Sequence, residues 1–379
     1  MIKKIIPRLI QKQLEKSLFK GKIVIVYGAR QVGKTTLVRE IGKKYSKTVY
    51  LNCDEPDVRE ALTGKTSTEL KSYLGNQKLV IIDEAQRVPN IGITLKLLVD
   101  NFPEIQIVAT GSSSFDLSNK IKEPLTGRKF EFYLFPFSVT ELKFVFNQTE
   151  IDRLIPEMTI FGTYPEIILG NFSQKEREIN LKNLAFSYLF KDLLAYQNIK
   201  NPEVLEKLLQ ALALQIGSEV SFNELAVLLG IDKKTVESYV RILEQSFVIF
   251  RLAPFSRNIR NELKKMRKIY FFDNGIRNAL INNLNPLNLR QDTGGLWENF
   301  MLSERMKHNS AKGRDVNSYF WRTTAGGEID YLEERKGEIR AFEIKYQKEK
   351  IRIPKAFLNG YPSAKIKVIN RENYLDFVR

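Results

Sequence analysis

One short stretch restricts the fold more than any other. Gly28 to Thr35 reads GARQVGKT, which fits the pattern GxxxxGK[ST]. An apolar run, KIVIVY at 22–27, precedes it, and an amphipathic segment from Thr35 to Tyr45 follows. The spacing has a physical cause. Gly28 and Gly33 let the backbone wrap inward, so that its N–H groups face phosphate oxygens. A helix starting near Lys34 adds the positive end of its dipole. Lys34 is expected to reach the β- and γ-phosphates, and the Thr35 hydroxyl to bind Mg²⁺. The expected nucleotide contacts are Gly28, Ala29, Arg30, Gln31, Val32, Gly33, Lys34, Thr35 and Thr36.

A second element belongs with this loop. LVIIDEAQ at 79–86 is an apolar strand ending in adjacent carboxylates. Asp83 is placed to hold Mg²⁺ through water, and Glu84 to polarise the attacking water. IVATGSSS at 107–114 supplies another strand, and Thr110 is placed to orient that water. An ordinary strand exit explains Thr110 equally well. Arg128, in PLTGRKFEF at 124–132, is the candidate for stabilising γ-phosphate charge, in cis or from a neighbouring subunit. A surface arginine before a strand is the competing explanation. No NKxD tetrad appears, which favours ATP over GTP.

Short apolar runs at 22–27, 47–51, 79–82 and 106–109 alternate with helical segments. That alternation predicts a parallel sheet covered on both faces. The expected fold class is therefore α/β: a P-loop NTPase parallel-sheet domain over 1–145, followed by smaller modules. Residues 146–200 read as a helical lid or connector, broken by FGTYPE at 161–166. Residues 201–281 read as a winged-helix-like module. A polar, turn-rich stretch at 282–295 reads as a linker that opens an α+β domain over 282–379.

Composition narrows the chemistry. The chain holds one cysteine (Cys53) and one histidine (His308) among 379 residues. An internal disulfide and a zinc site built from such ligands are excluded. A metal must sit on oxygen ligands, which suits Mg²⁺. The formal net charge of +16 favours a polyanionic partner, nucleic acid above all, or serves solubility alone. Residues 1–20 read as an amphipathic helix without a signal-peptide core, and no run is long enough to span a bilayer. A cytoplasmic protein is expected.

The winged-helix reading rests on SFNE at 221–224, a capping box, on Gly230 as a helix stop, and on Asp232 as the next cap. In the second helix Val236, Val240, Leu243 and Phe247 face the core, leaving Lys233, Lys234 and Arg241 outward as candidate DNA contacts. Residues 232–272 hold ten Lys/Arg against four Asp/Glu. Such modules also serve as lids or protein-docking surfaces.

In the tail, FEIK at 342–345 puts Glu343 and Lys345 on one face of a strand. GGEID puts Asp330 near the end of the preceding strand, and LWENF puts Glu298 on a helix. This order resembles the PD-(D/E)XK nuclease core, in which carboxylates hold Mg²⁺ and the lysine assists the water. An inactive relative that binds nucleic acid fits as well. So does a plain strand with charge on its solvent face.

Taken in order, YGARQVGKTTL, LVIIDEAQRVPN, VATGSSS, LTGRKFEFYLFPFSVTEL and FGTYPEIIL resemble a large prokaryotic family of AAA-type ATPases. Its members carry a C-terminal domain of unknown function, which KIYFFDNGIRNAL, LWENF and GGEIDYLEERKGEIRAFEIK resemble. The resemblance implies Mg²⁺-dependent ATP binding and hydrolysis. DNA binding or processing coupled to that hydrolysis is the leading expectation. The rival is a signalling or scaffold ATPase whose modules bind a protein partner, without nuclease activity.

Overall fold

The computed structural model describes residues 5–111, 121, 124–189, 199, 201–256, 267–323, 325–348 and 352–379. The chain forms two compact units. One runs to Phe135 and includes Gln245–Phe247, and the other spans Pro136–Glu244 and Val248–Arg379. The division between these units falls at 135, ten residues before the expected domain end at 145.

The first unit opens with helix α1 (Gln11–Ser17), much shorter than the 20-residue helix expected. Pro7 explains this, because proline disfavours the helical conformation in the residue before it. Strand β1 (Ile23–Tyr27) leads through the glycine loop to α2 (Lys34–Gly42). Then come β2 (Thr48–Asn52), α3 (Pro56–Leu62), α4 (Ser67–Leu74), β3 (Leu79–Asp83), α5 (Ile91–Asn101), β4 (Gln106–Gly111) and β5 (Lys129–Tyr133). All five strands pair in parallel, in the order β2-β3-β4-β1-β5. Every residue of β1, β3 and β4 is buried, as continuous apolar runs covered on both faces require. The sheet order places the C-terminal ends of β1, β3 and β4 side by side. In open α/β sheets, that edge is where ligands bind.

The second unit begins with α6 (Val139–Leu142), α7 (Gln148–Phe161), α8 (Pro165–Leu169) and α9 (Gln174–Asn183). It continues with α10 (Pro202–Leu214), β6 (Glu219–Val220), α11 (Phe222–Leu229), α12 (Lys233–Gln245), β7 (Ile249–Pro254) and β8 (Arg267–Phe271). The helix caps fall where the sequence placed them. Ser221 accepts from the Glu224 N–H, Gly230 ends α11 at φ +66°, and Asp232 accepts from the Thr235 N–H. Next are α13 (Asn274–Leu280), α14 (Thr293–Ala311), β9 (Asn317–Arg322), β10 (Glu328–Arg335), β11 (Glu338–Ile344), α15 (Lys355–Gly360), β12 (Lys365–Ile369) and α16 (Leu375–Val378).

The strands of this unit form one seven-stranded sheet, β12-β11-β10-β9-β7-β8-β6. The modules expected at 201–281 and 282–379 are joined through β7 and β9, which pair in parallel at Ala253↔Tyr319 and Pro254↔Phe320. Nor is 282–295 a loose linker. Arg290, 8% exposed, donates to Asn278 Oδ1 and Asp292, and Arg277 pairs with Asp292.

A buried polar hub explains the motif FFDNG. Asp273 caps α13 and also accepts from the Thr163 N–H at 2.7 Å. Asn274 donates to the Thr159 and Leu296 carbonyls, and Asn299 bonds the Phe271 N–H and carbonyl. Gly275 lies so close to Phe161 that a Cβ would stand 2.1 Å from its carbonyl oxygen. Among the described residues, no helix is long and apolar enough to cross a membrane.

Candidate functional site

The loop after β1 is shaped by two glycines. A Cβ on Gly28 would fall 2.2 Å from the Leu134 carbonyl oxygen. Gly33 stands at φ +97° as the N-cap of α2, a conformation open to glycine at little cost. Gly33 gives the N-terminus of α2 no side-chain cap, and a helix N-terminus suits an anion. Lys34, 5% exposed, folds back on the loop and donates to the Gly28 and Ala29 carbonyls at 2.9 and 3.0 Å. Ala29 and Val32 are buried, Arg30 and Thr35 half-buried, and Gln31 and Thr36 exposed.

Helix α2 and strands β3 and β4 deliver the polar side chains. The Thr35 hydroxyl donates to Asp83 Oδ2 at 2.7 Å. The buried Thr110 hydroxyl donates to Asp83 Oδ1 and accepts from the Glu84 N–H at 3.1 Å. Thr110 therefore does sit between the two acid-bearing positions. Thr35 and Asp83 form a hard-oxygen pair within one hydrogen bond, a donor set that fits Mg²⁺. Glu84 leaves the strand at φ +53° and accepts from Gln86 Nε2 at 2.5 Å.

Arg128 does not join this group. Its carbonyl accepts from the Ile23 N–H at the start of β1, and its guanidinium pairs with Asp100 at 2.6 Å. Because β5 runs parallel to β1, Arg128 lies at the opposite end of the sheet from the loop. Five residues of strand separate the two, about 16 Å. Residues 112–114 of the VATGSSS stretch lie outside the described residues.

Two contributors went unnoticed in the sequence. The Tyr50 hydroxyl, on β2, also donates to Asp83 Oδ2, and burial together with that carboxylate pushes its pKa up to about 12. Arg8, 8% exposed, donates to the Val32 carbonyl at 2.7 Å and to the Phe135 carbonyl at 2.6 Å. Neither residue belongs to a local motif. β2 reaches Asp83 only through sheet pairing, and Arg8 lies 24 residues before its loop partner.

A second cluster lies in the other unit. Asp330, Glu343 and Lys345 come together: the Lys345 ammonium is 3.0 Å from Glu343 Oε1 and 3.6 Å from Asp330 Oδ2. The Ile344 N–H donates to Asp330 at 2.8 Å. Asp330 stands near the start of its strand rather than the end, since pairing continues to Arg335 before the Lys336–Gly337 turn. The β9–β10 register shifts between Ile329 and Leu332, beside Asp330.

Glu298, on α14, is held by β8. It accepts from the Tyr270 hydroxyl at 2.6 Å and lies 3.5 Å from the Lys268 ammonium, which also pairs with Glu328. Burial pushes Glu298 up to about 7, Lys268 opposes that rise, and Asp330 adds to it. Burial, then Asp330, raises Glu343 as well, and its Oε2 is buried without a hydrogen-bond partner. That orphaned oxygen suits a cation, but two ammonium groups already neutralise these carboxylates. Among the described residues, no three acid, histidine or cysteine side chains stand close enough to share one metal. As placed, the cluster does not fit a metal held by three carboxylates.

Lys233, Lys234 and Arg241 are exposed on α12, and Lys233 stands 3.9 Å from Glu237. Val236, Val240 and Leu243 are buried. Much of the basic excess counted over 232–272 falls in 257–266, outside the described residues.

Comparisons with known proteins bear on the fold of the first unit. Residues 20–143 match the family described as AAA domain. Residues 152–287 and 293–376 match two domains of unknown function, DUF8612 and DUF4143. An uncharacterized protein of Mycobacterium tuberculosis (strain ATCC 25618 / H37Rv) is 28% identical over 337 residues, 88% of this chain and 72% of that protein. An uncharacterized protein of Methanocaldococcus jannaschii is 26% identical over 345 residues, 86% of this chain and 75% of that one. Among solved structures, a Walker-type ATPase of Pyrococcus abyssi aligns with a TM-score of 0.52 at 18% identity, covering 73% of this chain and 96% of that chain. The first unit therefore has a P-loop NTPase α/β fold, followed by helical and α+β regions.

Proposed function

We propose that this chain binds ATP with Mg²⁺ at the loop after β1 and hydrolyses it. The observation that carries the reading is the hydrogen-bonded series Thr35–Asp83–Thr110 beside the uncapped N-terminus of α2. Bound Mg²⁺ supplies charge neutralisation at the phosphate oxygens. Lys34 exchanges its carbonyl partners for the β- and γ-phosphates. Thr110 and Tyr50 keep the Asp83 carboxylate oriented, and Thr35 and Asp83 are the residues that would hold Mg²⁺. Glu84 polarises the attacking water and is released from Gln86 to do so. Two variants test this. Lys34→Ala removes most nucleotide affinity, and labelled-ATP binding within a few-fold of the parent sinks the site. Glu84→Gln still binds ATP but turns over roughly 10²-fold more slowly or worse. Unchanged turnover moves the catalytic role elsewhere.

We further infer that the second unit engages DNA. The helix–strand–helix–helix–strand–strand order of α10, β6, α11, α12, β7 and β8 is that of a winged helix, with the exposed cations of α12 outward. The order of α14, β9, β10 and β11, with Asp330, Glu343 and Lys345 brought together, supports a nuclease-like fold. The lysines lodged among those carboxylates favour a binding relative over a metal-dependent nuclease. The experiment is incubation of plasmid DNA with Mg²⁺ or Mn²⁺, using the parent and Asp330→Ala. The expected result is no cleavage that depends on Asp330. Metal-dependent nicking that vanishes in Asp330→Ala reinstates the nuclease. Parental binding that is weak and indifferent to nucleotide favours a protein-docking ATPase instead.

A further inference from the structure

We propose that Arg8 is a positioning residue, which holds the loop after β1 in its phosphate-accepting conformation. The proposal rests on the reading of that loop as an ATP site.

The argument starts from one peptide group. The Val32 carbonyl and the Gly33 N–H share a plane, and in a trans peptide they point in opposite directions. Arg8 Nη1 takes the carbonyl at 2.7 Å, which commits the Gly33 N–H to the other side. Gly33 is the residue least able to hold that choice itself. It lacks a Cβ and stands at φ +97°, where a flip of the preceding peptide costs little. A flipped peptide would aim a carbonyl dipole at the phosphate in place of an N–H. The loop thus needs a hold from outside, and the guanidinium lies against this spot. A Cβ built on Gly33 would be 3.7 Å from Arg8 Nη1.

The hold is independent of nucleotide. Lys34 also bonds loop carbonyls, those of Gly28 and Ala29, but its amine must leave them to reach phosphate. Arg8 holds the Val32 carbonyl from outside the loop, from a segment 24 residues earlier in the chain. Its other arm, Nη2, takes the Phe135 carbonyl at 2.6 Å, just past β5. The same segment is fixed to the loop's root, because the Leu134 N–H donates to the Tyr27 carbonyl at 2.8 Å. Arg8 therefore ties the loop's moving end to the strand edge that anchors its fixed end. Both bonds are charge-assisted and largely shielded from water, the setting in which such bonds are strongest. The planar fork matters, since a lysine offers one compact ammonium and cannot span two carbonyls in the same way.

The test compares the full-length parent with Arg8→Ala and Arg8→Lys, reading labelled-ATP affinity, KM and kcat. Arg8→Ala is expected to weaken ATP binding and raise KM by about tenfold or more, with a smaller change in kcat. Millimolar guanidinium ion should restore part of that affinity, which a general loss of stability would not allow. Arg8→Lys should fall between the two. A parent that binds ATP beside a folded Arg8→Ala within two- to threefold of it overturns the proposal and leaves the ATP site standing. Should Arg8→Ala fail to fold, a folded Arg8→Lys with parental affinity overturns it in the same way. A parent that binds no ATP removes the underlying reading, and this proposal with it.

Discussion

His308 is 2% exposed on α14, and neither ring nitrogen has a hydrogen-bond partner. Burial, then the charges of Arg305, Arg314 and Lys312, push its pKa down to about 4. The folded pKa lies below the unfolded value of about 6.5. The unfolded chain therefore takes up the proton first on acidification. This group's contribution is intact above pH 6.5 and is lost as pH falls toward 4. His308→Leu should flatten the fall in melting temperature between pH 6.5 and 5 while changing stability little at pH 8, since no hydrogen bond is lost. An unchanged acid slope counts against this account. Gly275 offers a second check at this scale. Gly275→Ala forces a methyl against the Phe161 carbonyl, and chemical denaturation should show a loss of about 3 kcal/mol or more.

Elements decide what the sequence could and could not reveal. The loop, Asp83 and Thr110 were legible because each sits at the end of an apolar strand, and parallel strands bring such ends together. The cis role for Arg128 fails because β5 runs in the same direction as β1. Once β5 pairs parallel to β1, the residue before β5 must lie at the far edge. Tyr50, Arg8 and Lys268 were invisible for another reason: each reaches its partner through pairing or packing between distant segments. In β8, Lys268 is 2% exposed between Glu298 and Glu328. Glu298 charges near pH 7 in the fold but near 4.5 when unfolded, so its own contribution to stability declines as pH rises from 4.5 to 7. Lys268→Ala should therefore be tolerated best at pH 6 and lose more stability at pH 8, where the carboxylate lacks its cation. A deficit equal at both pH values refutes that link. On α12, alanine at Lys233, Lys234 and Arg241 together should lower the salt dependence of DNA binding by about one unit per lost contact. A gel-shift series with the parental slope removes this helix as the DNA face.

Across the whole molecule, the two candidate sites occupy separate compact units. Lys34→Ala should abolish nucleotide binding and leave a salt-sensitive DNA affinity that no longer responds to ATP. Asp330→Ala should leave ATP turnover within about twofold of the parent. If either variant silences both activities while still folded, the chemistry of the two units is not separable.

The pairing of β7 with β9 has a practical result for anyone dissecting this chain. Sequence motifs invite a cut near residue 281, yet that cut divides one hydrogen-bonded sheet. The leading fragment would present the bare margin of β7 around Ala253, and the trailing one that of β9 around Tyr319. Unpaired margins of this kind recruit other chains. Each half, made alone, should self-associate and sediment, whereas the two produced together should rescue one another's solubility.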